Sequence, residues 1–343
     1  MVTENLEKTI RRTPSLKGLI QSYLISRGHL SPQTQRYYRI CLHNFTWYAV
    51  REGWSEEAEE VLTRENIRTF LEYVRTARDR WGYRDPTRSS SRPASPATVN
   101  HYGRVLKRLV RWATDEEDLL PDTGIWRLKL PSPHYRQVEP YTDEEVLAML
   151  SSCNDEYHKV SRFLGSRNRA IISFLADTGM RLSELSGIKT SDVHPGLKQV
   201  RVLGKGQKVR VLPLEGESSK ALQAYLLHRP DSSPWLWLSE EGQHLGPGSI
   251  TSMVERLKRR SGVRSGGLVH RFRHYFATRY LEAGGNPSSL RILLGHESYS
   301  MVLHYTRMVE ARKALGQHAH FSPLDQLIRG NHSKKDDWDW GLK

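Results

Sequence analysis

The stretch HRFRHYFATRYLEAG, residues 270–284, mixes cationic and aromatic side chains at helical spacing, and the reading of the whole chain turns on it. His270 and Arg273, three residues apart, share one helical face, whereas Arg271 points elsewhere. From Arg256 to Arg279 the sequence holds eight Lys/Arg and no acid. Such a run is ordinarily a solvated face. Here Phe272, Tyr275 and Phe276 interleave it, and a helix half buried and half facing phosphate suits the mixture. Downstream lie Leu294-Gly295-His296 and, nine residues on, Tyr305 after His304. Alone, a His after Gly is a cap or a packed residue, and a Tyr on a helix belongs to a core.

Upstream, two short β-branched runs, Gln199–Leu203 and Val209–Leu212, flank GKGQK, a hairpin signal with Gly at the bend. Lys205 stands at its tip between Gly204 and Gly206. It is either an ordinary turn lysine or a cation able to reach a phosphate or protonate a leaving oxygen. Lys208 and Arg210 make the same hairpin generally cationic. Further upstream, Gly179 lets the chain turn and Thr178 or Ser183 is placed to cap the next helix. Arg181 sits among apolar neighbours and must find a carboxylate or a phosphate. Glu184 at i+3 is the local candidate.

The amino-terminal part reads as helices. Leu16, Leu19, Ile20, Tyr23 and Leu24 fall on one face, and Ser31-Pro32 and Ser95-Pro96 are N-cap signals. A further helix spans about Thr63 to Ala77. Residues 78–93, rich in Arg, Ser and Pro, read as a long loop. Pro131, Pro133 and Pro140 mark an extended linker over 129–140. Thr142 with Glu145 forms a capping box that opens the second domain, where helices are expected over 168–175, 217–227, 249–261, 270–283 and 287–294. The expected class is therefore mainly α (α+β): a frayed tail (1–13), a helical bundle (14–128), the linker, a mostly helical domain with a small antiparallel sheet (141–328), and a polar tail (329–343).

The 343 residues carry 52 Lys+Arg against 38 Asp+Glu, a formal charge of +14, which points toward a polyanionic partner. A merely basic soluble enzyme would carry the same surplus. No run approaches the ~18 apolar residues of a membrane span. The amino terminus lacks the apolar core of a secretory signal. Cys41 and Cys153 are too few for a disulfide framework or a structural zinc site, so a reducing, cytoplasmic compartment is expected.

Arg181, Lys205, His270-x-x-Arg273, His296 and Tyr305, in this order and at these spacings, resemble the tyrosine recombinase family, also called phage integrase or Xer-like. ADTGMRLSEL (176–185), HRFRHYFATRYLEAG (270–284) and LLGHESYSMVLHYT (293–306) look like its signature boxes. The resemblance is strong over about 139–315, and the amino-terminal bundle matches more loosely the family's SAM-like core-binding domain. It implies that Tyr305 attacks the scissile phosphate to leave a 3′-phosphotyrosyl bond. Arg181 and Arg273 would clamp the non-bridging oxygens, helped by His296. Lys205 would protonate the leaving 5′ oxygen, His270 would assist at Tyr305, and Glu184 would orient Arg181. No metal, cofactor or ATP is called for.

The implied partner is double-stranded DNA with inverted-repeat sites, bound by a homotetramer on two duplexes, with monomers or dimers off DNA and accessory proteins admitted. The implied place is the nucleoid, and no membrane is involved. Arg104, Lys107, Arg108, Arg111, Lys208, Arg210, Lys258 and Arg259 are candidate DNA contacts, though solvated faces by default. Phe321, Leu324, Leu327 and Ile328 are candidates for docking on a neighbouring protomer. The expected role is a Xer-like resolvase or a mobile-element integrase. A type IB-like topoisomerase and a non-catalytic DNA-binding protein are the alternatives.

Overall fold

Side-chain caps set the helix starts of the first half of the chain. The computed structural model describes residues 14–77, 81, 93–132, 139–204, 206, 208–231 and 233–331. Ser15 and Ser31 open α1 (Leu16–Ser26) and α2 (Pro32–Arg51), each accepting a backbone N–H three residues on. A short α3 (Ala58–Val61) follows. Thr63 and Ser95 cap α4 (Arg64–Thr76) and α5 (Pro96–Arg111) in the same way. Each of these bonds satisfies an N–H that the first helical turn leaves without a partner. Pro32 and Pro96 stand in first turns, where a missing N–H costs nothing. α5 passes directly into a π-helical turn, Trp112–Glu116. Leu19, Tyr23, Leu42, Phe45, Phe70, Leu106 and Leu109 fill the core between these helices. Of the loop expected over 78–93 only Trp81 and Pro93 are described. Trp81 packs its ring against Trp47, Phe70, Tyr73 and Tyr102. The frayed tail expected over 1–13 lies outside the described residues.

The chain divides into two compact units between Arg136 and Gln137. The second opens with the Thr142/Glu145 capping box, present in both directions, ahead of α6 (Asp143–Lys159). Helix α7 (Arg162–Thr178) is longer than the apolar run 168–175 suggested, because Ser161 caps it early. It ends where Gly179 adopts φ +59, with its N–H on the Leu175 carbonyl. The short α8 (Leu182–Ser186) follows. Neither Thr178 nor Ser183 caps it. Thr178 Oγ1 donates to the Phe174 carbonyl and accepts from Met180, and Glu184 reaches back to the Arg181 N–H at 2.7 Å.

Strands β1 (Gln199–Leu203) and β2 (Val209–Pro213) form a two-stranded antiparallel sheet, Val202 opposite Arg210. Val200, Val202 and Leu212 point inward. Then come α9 (Gly216–Leu226), α10 (Pro247–Arg260), α11 (His270–Glu282), α12 (Pro287–Leu294), α13 (Ser300–Phe321) and α14 (Pro323–Asn331). The polar stretch 316–320 does not interrupt α13, which runs helically through it. Residues 332–343 of the expected tail lie outside the described residues. The mainly α architecture with one small antiparallel sheet is as expected. Its core, from Met149 and Phe174 to Trp237 and Phe272, is the scaffold on which the following residues converge.

Candidate active site

Three arginines converge on the carboxyl end of α12. Arg210 Nε donates to the Leu293 carbonyl at 2.8 Å, Arg273 Nη2 to Leu294 at 2.7 Å, and Arg181 Nη2 to Gly295 at 3.5 Å. A helix leaves its last carbonyls without intrahelical partners and its carboxyl end partly negative. Guanidiniums satisfy both deficits at once. Gly295 ends the helix at φ +63, and a Cβ there would lie 2.9 Å from Arg210 Nη1. The turn therefore requires glycine both for its backbone and for the approach of Arg210.

Arg273 is almost wholly buried, at 3% exposure, and its Nη1 donates to the Gly179 carbonyl at 2.8 Å. Burial, then the charge of Arg181, pushes its pKa down to about 10. Arg181 remains 37% exposed at the side chain and holds Glu184 through one Nη1 bond of 2.9 Å. Glu184 also accepts both Nη groups of Arg210, at 2.9 and 2.8 Å. Burial would raise the Glu184 carboxyl, but the Arg210 and Arg181 bonds outweigh it and hold the group at about 2. Among the described residues this carboxylate is the acid bonded to Arg181 and Arg210, while Arg273 is held by main-chain carbonyls, which leaves a surplus of positive charge.

Tyr305, on the second turn of α13, faces that surplus. It is 3% exposed and packs with Ala277, Leu281, Leu290, Leu294, Val302 and Val309. Burial raises its phenol pKa, while Arg273 and Arg181 pull it back. The His296 ring lies almost parallel to the Tyr305 ring, centroids 6.5 Å apart. Burial, then Arg273, Arg181 and Arg210, holds His296 down to about 4, so the imidazole is neutral at physiological pH. Its Nδ1 is buried without a hydrogen-bond partner among the described residues. On α11, His270 is pushed below its ordinary value by desolvation against the site wall, then by Arg273 and Arg181. One turn on, the His274 ring lies 4.8 Å from the His270 ring and 5.5 Å from the Tyr305 ring. Burial, then the nearby His270 and His304, holds it down to about 4.

The cluster of guanidiniums, imidazoles and one buried phenol sets positive charge that suits an oxyanion beside a group able to act as nucleophile. The profile of the phage integrase family matches residues 141–312, half of the chain. The tyrosine recombinase XerC of Myxococcus xanthus is 31% identical over 310 residues, covering 86% of this chain and 94% of that protein. The chain belongs to the phage integrase family of tyrosine recombinases. Its fold is similar to that of the XerH site-specific recombinase, solved with its palindromic difH substrate as a post-cleavage complex. That likeness has a TM-score of 0.66 at 20% identity, over 89% of this chain and 84% of that one. Lambda integrase, solved as a tetramer bound to a Holliday junction, is similar with a TM-score of 0.64 at 17% identity, over 89% and 80%.

The recombinase brings Arg181, Glu184, His270, Arg273, His296 and Tyr305 into one site. Lys205 lies outside the described residues; a Cβ on Gly204 would stand 3.7 Å from Glu184 Oε1. Arg271 points away, as its spacing implied, and is spent on the carbonyls of Glu139, Pro140 and Gly266. Tyr275 donates to Asp143 Oδ1 at 2.9 Å and takes no part. His304 is exposed. The reading of the sequence passed over His274, although its i+4 spacing from His270 puts it on the same face.

The candidate DNA contacts divide. Arg104, Arg108 and Arg111 lie exposed along one face of α5, and Lys208 and Arg259 are exposed. Arg108 also donates to Tyr38 Oη and Arg111 to Asp115, and three others carry bonds to main-chain carbonyls or to Glu184. Lys258 is buried with its ammonium on the Ser265 and Gly267 carbonyls. Lys107 donates to the Trp126 and Leu128 carbonyls. Arg210 is bound inside the site described above. These bonds escape the sequence because the acceptors are distant in it or are main-chain carbonyls. The docking candidates Phe321, Leu324, Leu327 and Ile328 stand exposed on the end of α13 and on α14. No helix among the described residues is long and apolar enough to cross a membrane.

Proposed function

We propose that this recombinase breaks and rejoins DNA at a specific site through Tyr305. The observation that carries the reading is the surplus of buried guanidinium charge beside a buried phenol. Burying Arg273 and Arg210 and partly burying Arg181 is costly unless an anion compensates them, and Glu184 compensates only in part. A scissile phosphate supplies the rest. Tyr305 Oη attacks phosphorus, the P–O5′ bond breaks, and the 3′ phosphate stays on the enzyme as a tyrosyl ester. The phenol proton passes to neutral His270, and Lys205 returns a proton to the departing 5′ oxygen. Arg181 and Arg273 hold the non-bridging oxygens of the pentavalent state, with His296 donating a further hydrogen bond. The ester conserves the bond energy, so the 5′ hydroxyl of another strand reverses the step without ATP.

Four protomers on two duplexes would complete an exchange, as in the lambda integrase assembly, with the exposed apolar residues of α14 docking on a neighbour. The amino-terminal bundle and the catalytic unit, joined through the Pro-rich segment, would grip the duplex through Arg104, Arg108 and Arg111, and Arg259. The work belongs to the cytoplasm, on the nucleoid. A duplex enriched from a randomised inverted-repeat pool and nicked beside the cleavage point should trap a covalent adduct. An adduct that persists in Tyr305→Phe, or none with the wild type, sinks the assignment. Relaxation of supercoils without site preference or strand transfer would assign the chemistry to a topoisomerase instead.

A further inference from the structure

Arg210 stands in β2 two residues after Lys208, and the two side chains have opposite fates. Lys208 is 74% exposed, whereas the Arg210 side chain is 12% exposed. Its guanidinium spreads in two directions. Nη1 and Nη2 form a fork on both Glu184 oxygens, at 2.9 and 2.8 Å, and Nε holds the Leu293 carbonyl at 2.8 Å. Glu184 is the same carboxylate that accepts the Arg181 N–H and Nη1. Arg210 also packs against Gly295, one residue before His296. One side chain therefore ties together the Arg181 turn, the hairpin that bears Lys205, and the turn that bears His296.

The fork has a chemical consequence. A lone carboxylate beside a lone arginine takes the guanidinium bidentately, which is the geometry both groups prefer. Here Arg210 already occupies both Glu184 oxygens, so Arg181 is left with a single Nη1 bond and a long contact to Gly295. Among the described residues its remaining N–H groups make no further hydrogen bond, and the side chain is 37% exposed. We propose that Arg210 is a positioning residue for phosphoryl transfer. By saturating Glu184 it prevents that carboxylate from capturing the Arg181 fork, and it keeps Arg181 free for a non-bridging phosphate oxygen. Its Nε at the same time fixes the end of α12 from which His296 projects. Lysine cannot do this, because an ammonium lacks the planar pair of donors and the third in-plane donor.

The proposal rests on the reading of Arg181 and His296 as phosphate ligands, and its test separates the two. Full-length wild type, Arg210→Met and Arg210→Lys are compared in single-turnover adduct formation on the nicked duplex, with melting temperature and duplex affinity measured in parallel. Arg210→Lys retains the charge should Arg210→Met fold poorly. Two substrates are used, the natural phosphate and a methylphosphonate at the scissile position, which lacks one charged oxygen for Arg181 to hold. Both variants should bind the duplex as the wild type does and form the adduct about 10–100-fold more slowly on phosphate. That deficit should collapse on the methylphosphonate. An equal deficit on both substrates, or an unchanged rate with a salt dependence weakened by about one phosphate, overturns the proposal. Wild-type adduct that disappears in Tyr305→Phe checks the underlying reading independently.

Discussion

Glu184→Gln keeps the volume of the side chain and removes its titration, so it isolates the energy stored at the centre of the site. In the folded recombinase this carboxyl is held at about 2 against an ordinary 4.5, the arginine bonds outweighing burial. At 1.36 kcal/mol per pH unit, that gap corresponds to about 3 kcal/mol contributed by the ionised form. The folded value lies below the unfolded one. The contribution is therefore complete above pH 4.5 and disappears as pH falls through 2. His274 and His296, both held down to about 4 from 6.5, act in an earlier window: their contribution is present above 6.5 and is lost toward 4. The Glu184 part thus stands out between pH 4.5 and 2. Urea unfolding of both proteins at closely spaced pH should show the variant lacking about 3 kcal/mol of the acid fall in stability. At pH 7 the variant should be less stable by about 3–5 kcal/mol, because two guanidiniums lose their anion. Equal slopes below pH 4.5 would refute the reasoning.

Gly179→Ala places a side chain at φ +59 with its Cβ 2.6 Å from a Phe276 ring atom and 2.9 Å from Leu294. The left-handed backbone costs about 1–2 kcal/mol and the overpacking about 1–3 more, which calorimetry should register as a lowered melting temperature. Tyr102→Phe removes the acceptor 2.7 Å from the buried Asn44 amide. It should cost the amino-terminal unit about 1–3 kcal/mol in denaturant unfolding. Arg104→Ala and Arg111→Ala should each flatten the dependence of DNA affinity on salt by about one phosphate. Lys258→Ala, stripped of its two carbonyl bonds, should instead lower stability and leave that slope alone; the opposite assignment would show as a flattened slope.

What the sequence disclosed was what short-range chemistry decides. Ser31-Pro32, Ser95-Pro96 and the Thr142/Glu145 box mark helix starts because a cap and the N–H that donates to it lie within three residues. The Arg181–Glu184 pair was legible for the same reason. Arg210 was not: its acceptors lie 26 residues before it and 83 after, and no spacing rule connects them. The carbonyl bonds of Lys258 and Lys107 were not legible, because main-chain acceptors carry no signature in a side-chain alphabet. The full length of α7 escaped since Arg162 to Arg167 look polar, although Arg167 is buried with a bond to the Leu238 carbonyl. His274 was legible and overlooked; a neighbour-by-neighbour reading of the α11 face would have found it.

The carboxyl end of α12 holds three successive carbonyls against three guanidiniums, and those acceptors belong to the main chain. Replacing side chains one at a time along α12 leaves every one of them in place. Ile292, largely exposed, is free to vary. Inserting or deleting one residue, by contrast, rotates the helix end by about 100° and misdirects all three cations together. Outside Gly295 and the buried Leu290 and Leu294, this part of the recombinase is therefore more tolerant of substitution than of changes in length. A scan of its exposed side chains would pass over the carbonyls, and an ester in place of one amide linkage, which weakens a single carbonyl as an acceptor, would expose them.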